Sequence, residues 1–284
     1  MGIDPCLIVT TDKQGEILLR SLAPMGMNLE HVHVDGKLSS TVSLEMDYNG
    51  RRVNLMISDS GSASSFSFND LSEDDLKSIR ESSLVALVNL NHNLNGIELA
   101  QDLFRFVREN SDAITFVDMG DPSWNKQIVE PLVKDVISEG LVDVLSSNEN
   151  EAAWFAWALT NKDDHWRDLV SDSSRWLSIA ELVSNETSTR IDFHTPKYSA
   201  SLFGDDVVTI PTFDVESRIM CGAGDAWNAG DILGHISKLS IENRLILANA
   251  VAALYVSSED ATHPTANDLR MFLDTNPPLF RVNE

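Results

Sequence analysis

The 284-residue sequence is 43% hydrophobic and carries 44 Asp and Glu residues against 21 Lys and Arg, for a formal net charge of −23. A surface of this charge repels polyanions and anionic lipid headgroups, so we expect neither nucleic acid nor a membrane surface as a partner. The length allows one large α/β domain or two smaller ones.

Cysteine content and hydropathy indicate the cellular compartment. Cys6 and Cys221 are the two cysteines, and no C-x-x-C motif joins them. This usage favours a reducing compartment and argues against a disulfide framework or a thiolate zinc site. No run of 18 apolar residues occurs, and the N-terminus lacks a basic region followed by an apolar one. We therefore expect a cytoplasmic protein that is neither secreted nor membrane-spanning.

The first thirty residues predict one strand and one helix. The apolar run Pro5–Thr10 is typical of a short buried strand, and a helical pattern follows over Gln14–Ala23.

The next segment changes to an alternation of polar and apolar residues. It includes Asn49-Gly50, a dipeptide that favours a tight hairpin turn. The pattern predicts a small half-exposed β lid at about residues 31–58. His31 and His33 fall on one face of it, where they could form a metal pair. We favour exposed strand histidines, because no third ligand lies nearby in the sequence.

Helices and strands then alternate regularly. This rhythm predicts a doubly wound, mostly parallel sheet within a single α/β domain spanning residues 1–284, and ligands of such sheets bind at the carboxyl ends of the strands. The predicted helices are Ser72–Glu81, Gly96–Glu109 and Asn125–Ser138, and the predicted strands are Leu84–Leu90, Ala113–Asp118 and Val142–Leu145.

Polar residues follow these strands at the edge where ligands are expected. Asn148 and the acids Glu149 and Glu151 open a helix after the third strand. Acids in a first helical turn interact favourably with the helix dipole, and they can also order Mg²⁺ through water, so both interpretations stay open. The other strand-end residues are Asn89, Asn91, His92, Asp118 and Asp121.

A late helix, Ser240–Val256, is apolar nearly all round and is therefore predicted to be buried. Asn249 is read as its one interior polar residue. A buried amide needs a partner, so Asn249 makes either a structural hydrogen bond or a ligand contact. Strands are predicted before this helix at Thr189–Phe193, Ser199–Phe203 and Asp206–Ile210.

The stretch CGAGDAWNAGD, from Cys221 to Asp231, combines two close glycines with an acid at the predicted start of a helix. Free N–H groups at a helix N-terminus form an anion site, and Asp225 would stand beside the bound anion. A carboxylate there can take a proton from a nucleophile, which suggests phosphoryl transfer. A glycine-capped turn followed by a surface Asp is the plainer alternative. A dinucleotide-binding oxidoreductase is disfavoured by the glycine spacing.

A β lid, a βαβ sheet, N-E-x-E after a strand, G-A-G-D at a helix start and a late A-N-A-x-A-A helix occur here in that order. This order resembles the ribokinase-like, or PfkB, family of carbohydrate kinases over essentially the whole chain. The resemblance implies an ATP-dependent kinase that phosphorylates a hydroxyl of a sugar, polyol or nucleoside. It also implies that Asp225 is the catalytic base and that the backbone of Gly222, Ala223 and Gly224 forms the anion hole.

The same resemblance assigns further roles. Asn148 and Glu151 match the family's N-x-x-E pair, which helps to place Mg²⁺ and the phosphates of ATP. Thr195 and Asn249 would border the nucleotide, and Asp118 is the retained acid of a substrate-side pattern. We further expect the lid to close over the substrate and a homodimer to form through it.

The sequence also departs from the family. Ile219, Met220 and Cys221 stand where the family has D-T-x, and a catalytic thiol at Cys221 is strongly disfavoured. The family's opening strand and its Gly-Gly and Asn segment have no counterpart ahead of Pro5, which predicts an exposed sheet edge. The alternative function is therefore a non-catalytic relative that binds nucleotide or carbohydrate.

Overall fold

The structure, a computed structural model, describes residues 3–48 and 51–281, so the predicted Asn49-Gly50 turn lies outside the described residues. The strands are β1 (Val9–Thr10), β2 (Val32–His33), β3 (Ser40–Tyr48), β4 (Arg51–Asp59), β5 (Leu84–Leu87), β6 (Ile114–Asp118), β7 (Val144–Ser147), β8 (Arg190–His194), β9 (Tyr198–Phe203) and β10 (Asp206–Pro211). The α-helices are α1 (Lys13–Leu19), α2 (Glu73–Glu81), α3 (Gly96–Asn110), α4 (Val129–Pro131), α5 (Glu149–Leu159), α6 (His165–Asp168), α7 (Trp176–Thr187), α8 (Ala223–Ile236), α9 (Ile241–Ser257) and α10 (Ala266–Asp274).

Six of the described strands form the main sheet, in the order β10-β9-β8-β7-β6-β5. Strands β5 to β8 are parallel, whereas β9 and β10 are antiparallel. The α/β, mostly parallel fold predicted from the helix and strand rhythm is therefore confirmed. Within the described chain, β5 lies at one edge of this sheet.

Strand β8 shows that the sheet is covered on both faces. Ile191 and Phe193 are buried in the large core cluster, which also contains residues of α5 and α7. Asp192 points the opposite way, because side chains alternate along a strand, and it contacts His235 of α8 and Arg244 of α9. Helices thus pack on both faces, which is the doubly wound arrangement.

The α8 and α9 face contains more buried charge than the sequence indicated. Arg244, in the predicted apolar helix, is only 2% exposed, so the reading of Asn249 as its one interior polar residue was wrong. The Arg244 guanidinium donates to Asp192 and to Asp231, which compensate its charge. Hydropathy periodicity cannot reveal such a partner, because the partners lie on other elements.

The lid is the antiparallel pair β3 and β4, in register from Ser40 opposite Asp59. Its two faces differ. Asn54, Met56 and Ser58 line a cavity, and the opposite face exposes Val42, Leu44, Met46, Leu55 and Ile57. The predicted small β lid is confirmed, and it begins at Ser40 rather than at residue 31.

Two N-terminal expectations were wrong. The apolar run Pro5–Thr10 does not form a buried strand. Only Val9–Thr10 is a strand, half-buried, and it pairs in parallel with β2. A run of apolar residues predicts extended structure well, but it does not say which strand will pair with it.

His31 and His33 are not exposed strand histidines. His31 Nδ1 lies 2.7 Å from Asp75 Oδ1, and His33 Nε2 lies 2.8 Å from Asp75 Oδ2. The Asp75 carboxylate also accepts from the Ser72 N–H at 2.7 Å, as part of the capping box of α2. The two histidines therefore tie β2 and its flank to α2. None of the helices within residues 3–48 and 51–281 has the length and hydropathy that a membrane-spanning segment needs.

Candidate active site

A tight turn leads into α8. Gly222 has φ +84° at the helix N-cap, a left-handed conformation that favours glycine. A Cβ atom there would lie 2.5 Å from the Tyr255 hydroxyl, which donates to the Cys221 carbonyl at 2.8 Å. The Ala223 N–H donates to the Met220 carbonyl at 3.1 Å. The predicted loop-to-helix transition is present, and the turn already engages one N–H of the proposed anion hole.

Asp225 stands in the first turn of α8 and faces a cavity. Burial among protein groups raises its pKa, and the nearby His263 partly offsets that effect. A carboxylate with a raised pKa accepts a proton more readily than an ordinary one, as a general base must.

Two cavities meet at the N-terminus of α8. One has a volume of about 630 Å³ and the other about 460 Å³. The glycine turn and the end of β8 separate them. The residues that line both are Asn148, His194, Met220, Ala223 and Gly224.

The larger cavity is acidic. Its wall includes four carboxylates, those of Asp118, Asp121, Glu151 and Asp225. The inner face of the lid forms the opposite side. The predicted strand-end residues Asn89, Asn91 and His92 also line it, together with Trp124.

Asp118 lies on the floor of the acidic cavity and is only 8% exposed. Asn228 Nδ2 donates to Asp118 Oδ2 at 2.5 Å, and the Ser146 hydroxyl donates to Asn228 Oδ1 at 2.5 Å. Burial raises the Asp118 pKa, and so does the charge of Asp225, whereas the bonds from Gly120 and Asn228 lower it. The structure therefore brings the predicted base and the predicted substrate-side acid together.

Asn148 and Glu151 form the capping box of α5. Asn148 Oδ1 accepts from the N–H groups of Asn150 and Glu151, and Asn148 Nδ2 donates to Glu151 Oε1 at 2.9 Å. Burial and the charge of Asp118 raise the Glu151 pKa well above its ordinary value, although the bond from the Asn148 backbone lowers it. The dipole interpretation and the Mg²⁺ interpretation are thus compatible. A group of carboxylates held in this way suits a cation that keeps its water ligands.

The smaller cavity has mainly apolar walls, and Thr195 and Asn249 both border it. The Thr195 hydroxyl donates to the Tyr198 carbonyl at 2.7 Å, within the turn that follows β8. Asn249 Oδ1 accepts from Trp227 Nε1 at 2.9 Å, and its Nδ2 donates to the Pro211 carbonyl at 3.2 Å. Both residues therefore form part of the wall of this cavity, while the polar groups of their side chains bond to other groups of the protein.

His194 was missed by sequence reasoning. It ends β8, and its ring centroid lies 5.0 Å from that of Trp227. Nε2 is buried and has no hydrogen-bond partner among the described residues. Burial lowers its pKa to about 4, so the ring is neutral at pH 7. Its position at the carboxyl end of a parallel strand was the available signal.

The order of elements argues against a dinucleotide-binding fingerprint. Such a motif joins a parallel strand directly to its helix. Here the glycines follow β10, an antiparallel edge strand, and a long connecting segment.

Residues 6–268 match the family described as pfkB family carbohydrate kinase. Among curated proteins, none matches the sequence. The fold is similar to a putative ribokinase II from E. coli, with a TM-score of 0.72 at 16% identity over 96% of this chain and 84% of that one. Ribokinase from Arabidopsis thaliana, complexed with ribose and ATP, gives 0.65 at 17% identity over 95% and 82%. A nucleoside kinase from Burkholderia thailandensis, in complex with inosine, gives 0.62 at 16% identity over 96% and 82%.

These similarities agree with the ribokinase-like fold that the motif order implied. With the match over residues 6–268, they establish that this chain belongs to the pfkB family of carbohydrate kinases.

Proposed function

We propose that the protein transfers the γ-phosphoryl group of ATP to a hydroxyl of a sugar, polyol or nucleoside. One observation carries the proposal: the turn Gly222–Gly224 and Asp225 lie where an apolar cavity meets an acidic one. Transfer needs a donor and an acceptor in line, with an anion site and a base at their junction.

The apolar cavity suits the base and ribose of the nucleotide. Phe213, Val215 and Trp227 are among its walls, and the helix N-terminus closes its inner end. Phosphates that point to this end would meet the backbone N–H groups of the first turn of α8 and the positive end of its dipole. This local field offsets the repulsion expected from a chain of net charge −23. The neutral ring of His194 lines both cavities at this junction, next to Gly224.

The acidic cavity suits a polyhydroxylated acceptor. Asp118, oriented by Asn228, can accept a hydrogen bond from one acceptor hydroxyl while Asp225 takes the proton of the reacting one. The inner face of the lid covers this cavity, and closure over the acceptor would exclude water.

Mg²⁺ is the expected metal, and when bound it neutralises charge on the phosphates. Asn148 and Glu151, whose polar groups already bond to each other, would hold its water ligands rather than the ion itself. Glu149, whose pKa burial raises, lines the apolar cavity next to them.

The deciding test is Asp225→Asn in an ADP-release assay with Mg-ATP and a panel of sugars, inositols and nucleosides. We expect turnover to fall by about 10²- to 10⁴-fold, because the base is lost, while nucleotide binding is retained. Asp205→Asn, the same change at an exposed position, is the control and should behave like the wild type.

An Asp225→Asn variant that keeps more than about a tenth of the wild-type rate would refute the assignment of the base. A wild-type protein that binds nucleotide but phosphorylates nothing in the panel would instead be the non-catalytic relative.

We also propose that a second copy of the chain covers the outer face of the lid. Val42, Leu44 and Ile57 there are 56%, 47% and 61% exposed, an unusual density of exposed apolar side chains. Sedimentation should show a dimer at micromolar concentration and a monomer for Leu44→Lys. A wild-type monomer at that concentration would exclude this pairing.

A further inference from the structure

We propose that Glu45, on the inner face of the lid, is a positioning residue that couples lid closure to the order of the turn before α8. The inference rests on the proposed kinase function. It concerns how the phosphate end of the site is completed.

Glu45 contacts the turn directly. Its Oε1 accepts from the Met220 N–H at 2.7 Å and from the Cys221 N–H at 2.6 Å. The strand register places Glu45 opposite Asn54, and Asn54 lines the acidic cavity. The carboxylate therefore reaches the turn from the lid face that covers the substrate cavity.

The rest of the turn is held by α9. The Ile219 N–H donates to the Val256 carbonyl at 3.1 Å, and the Tyr255 hydroxyl donates to the Cys221 carbonyl at 2.8 Å. These bonds fix the entry to the turn and one carbonyl. The lid supplies the acceptor for two successive N–H groups, an arrangement in which backbone amides bind an anion well.

The contact with Glu45 also affects the proposed anion hole, which begins one residue further along the chain. Gly222 follows Cys221, and the Met220 carbonyl accepts from the Ala223 N–H, so the orientation of Met220 and Cys221 sets that of the proposed anion hole. When the lid lifts, both N–H groups lose a charged acceptor and the turn gains freedom. Closure over a substrate therefore also orders the groups that bind the transferred phosphoryl.

The position of Glu45 separates its effect from nucleotide binding. Glu45 does not line the apolar cavity, and of the two residues that it bonds only Met220 does. Loss of its carboxylate should therefore lower kcat much more than it changes the affinity for ATP.

The kinetic test compares Glu45→Ala, Glu45→Gln and Asp47→Asn. We expect Glu45→Ala to lower kcat about tenfold, with less than about a threefold change in KM for ATP, because a charge-assisted hydrogen bond is lost. Glu45→Gln keeps an oxygen acceptor and should restore most of the rate. Asp47→Asn removes the same charge from an exposed position on the same strand, so it should match the wild type.

Hydrogen exchange tests the contact without an activity assay. The Met220 and Cys221 amides should exchange about tenfold faster in Glu45→Ala than in the wild type or in Asp47→Asn. Unchanged exchange in Glu45→Ala would overturn the contact, and faster exchange with an unchanged kcat would overturn the coupling. A wild type without kinase activity would refute the proposed function, and the exchange rates would still decide whether Glu45 holds the turn.

Discussion

Two groups of buried carboxylates contact the same helix, α8, and differ in their partners. Asp192 and Asp231 surround Arg244, whereas Asp118 and Glu151 lie near Asp225 in a wall where the described residues place no Lys or Arg. Burial alone would raise the Asp192 pKa, but the hydrogen bond from His235 and the charge of Arg244 hold it well below its ordinary value. Burial raises the pKa values of Asp118 and Glu151, and a neighbouring carboxylate adds to the effect in each case: Asp225 for Asp118, and Asp118 for Glu151.

The two groups of carboxylates therefore have different roles, because only the first has a cationic partner. In the first group one carboxylate balances the cation, and the pKa of its neighbour Asp231 is raised well above its ordinary value by burial and by Asp192. The ion pairs of this group join α9 to α8 and to β8. The second group has no such balance, so it can take up a cation or a proton, at a cost in stability near neutral pH.

The largest effect is expected for Asp192→Asn. Breaking a buried ion pair from one side leaves Arg244 undercompensated, and we expect the free energy of unfolding to fall by about 3–5 kcal/mol at pH 7. The Asp192 pKa is lowered by folding, so its contribution is present above the ordinary value of 3.8 and is lost as the pH falls through the folded-state pKa. Denaturant unfolding from pH 7 to about pH 2 should therefore show a constant gap from the wild type down to about pH 4 and a narrowing gap below it.

Asp118→Asn should behave in the opposite way and to a smaller extent. The Asp118 pKa is raised by folding, so the carboxylate destabilises the fold increasingly as the pH rises above 3.8. Asn228 can reverse its amide and Ser146 can accept instead of donate, so the relay tolerates the change. We expect a melting temperature a few degrees above the wild type at pH 8 and equal to it near pH 4. A melting temperature below that of the wild type at pH 8 would contradict the expectation that the Asp118 carboxylate destabilises the fold.

The smallest effect on stability concerns two capping boxes of the same design. Asn148 with Glu151 begins α5 in the acidic cavity, and Thr265 with Asp268 begins α10 at the surface. Asn148→Ala and Thr265→Ala should each cost about 1 kcal/mol of unfolding free energy. Only Asn148→Ala should also raise the Mg²⁺ concentration needed for half-maximal turnover. Equal Mg²⁺ dependence in both variants would show that Asn148 acts only as a helix cap.

Much of the architecture could be predicted from local patterns. Alternation of helix and strand indicated the parallel sheet, period two indicated the lid, and two glycines before an acid indicated the start of α8. These features depend on residues that are close in sequence, so their pattern is visible without the fold. The burial predicted for Pro5–Thr10 was wrong for the complementary reason: burial depends on what packs against a strand, and β1 lies in a separate two-stranded sheet with β2.

At the site, the residue types could be predicted from local motifs: a candidate base at Asp225, a glycine turn before it and acids at the strand ends. Their partners became visible in the folded chain: Arg244 beside Asp192, Asp75 between His31 and His33, and Glu45 on the turn before α8. The physical reason is that a carboxylate's charge, proton affinity and role depend on groups within a few ångströms. Strand order and helix packing bring those groups together from distant parts of the chain.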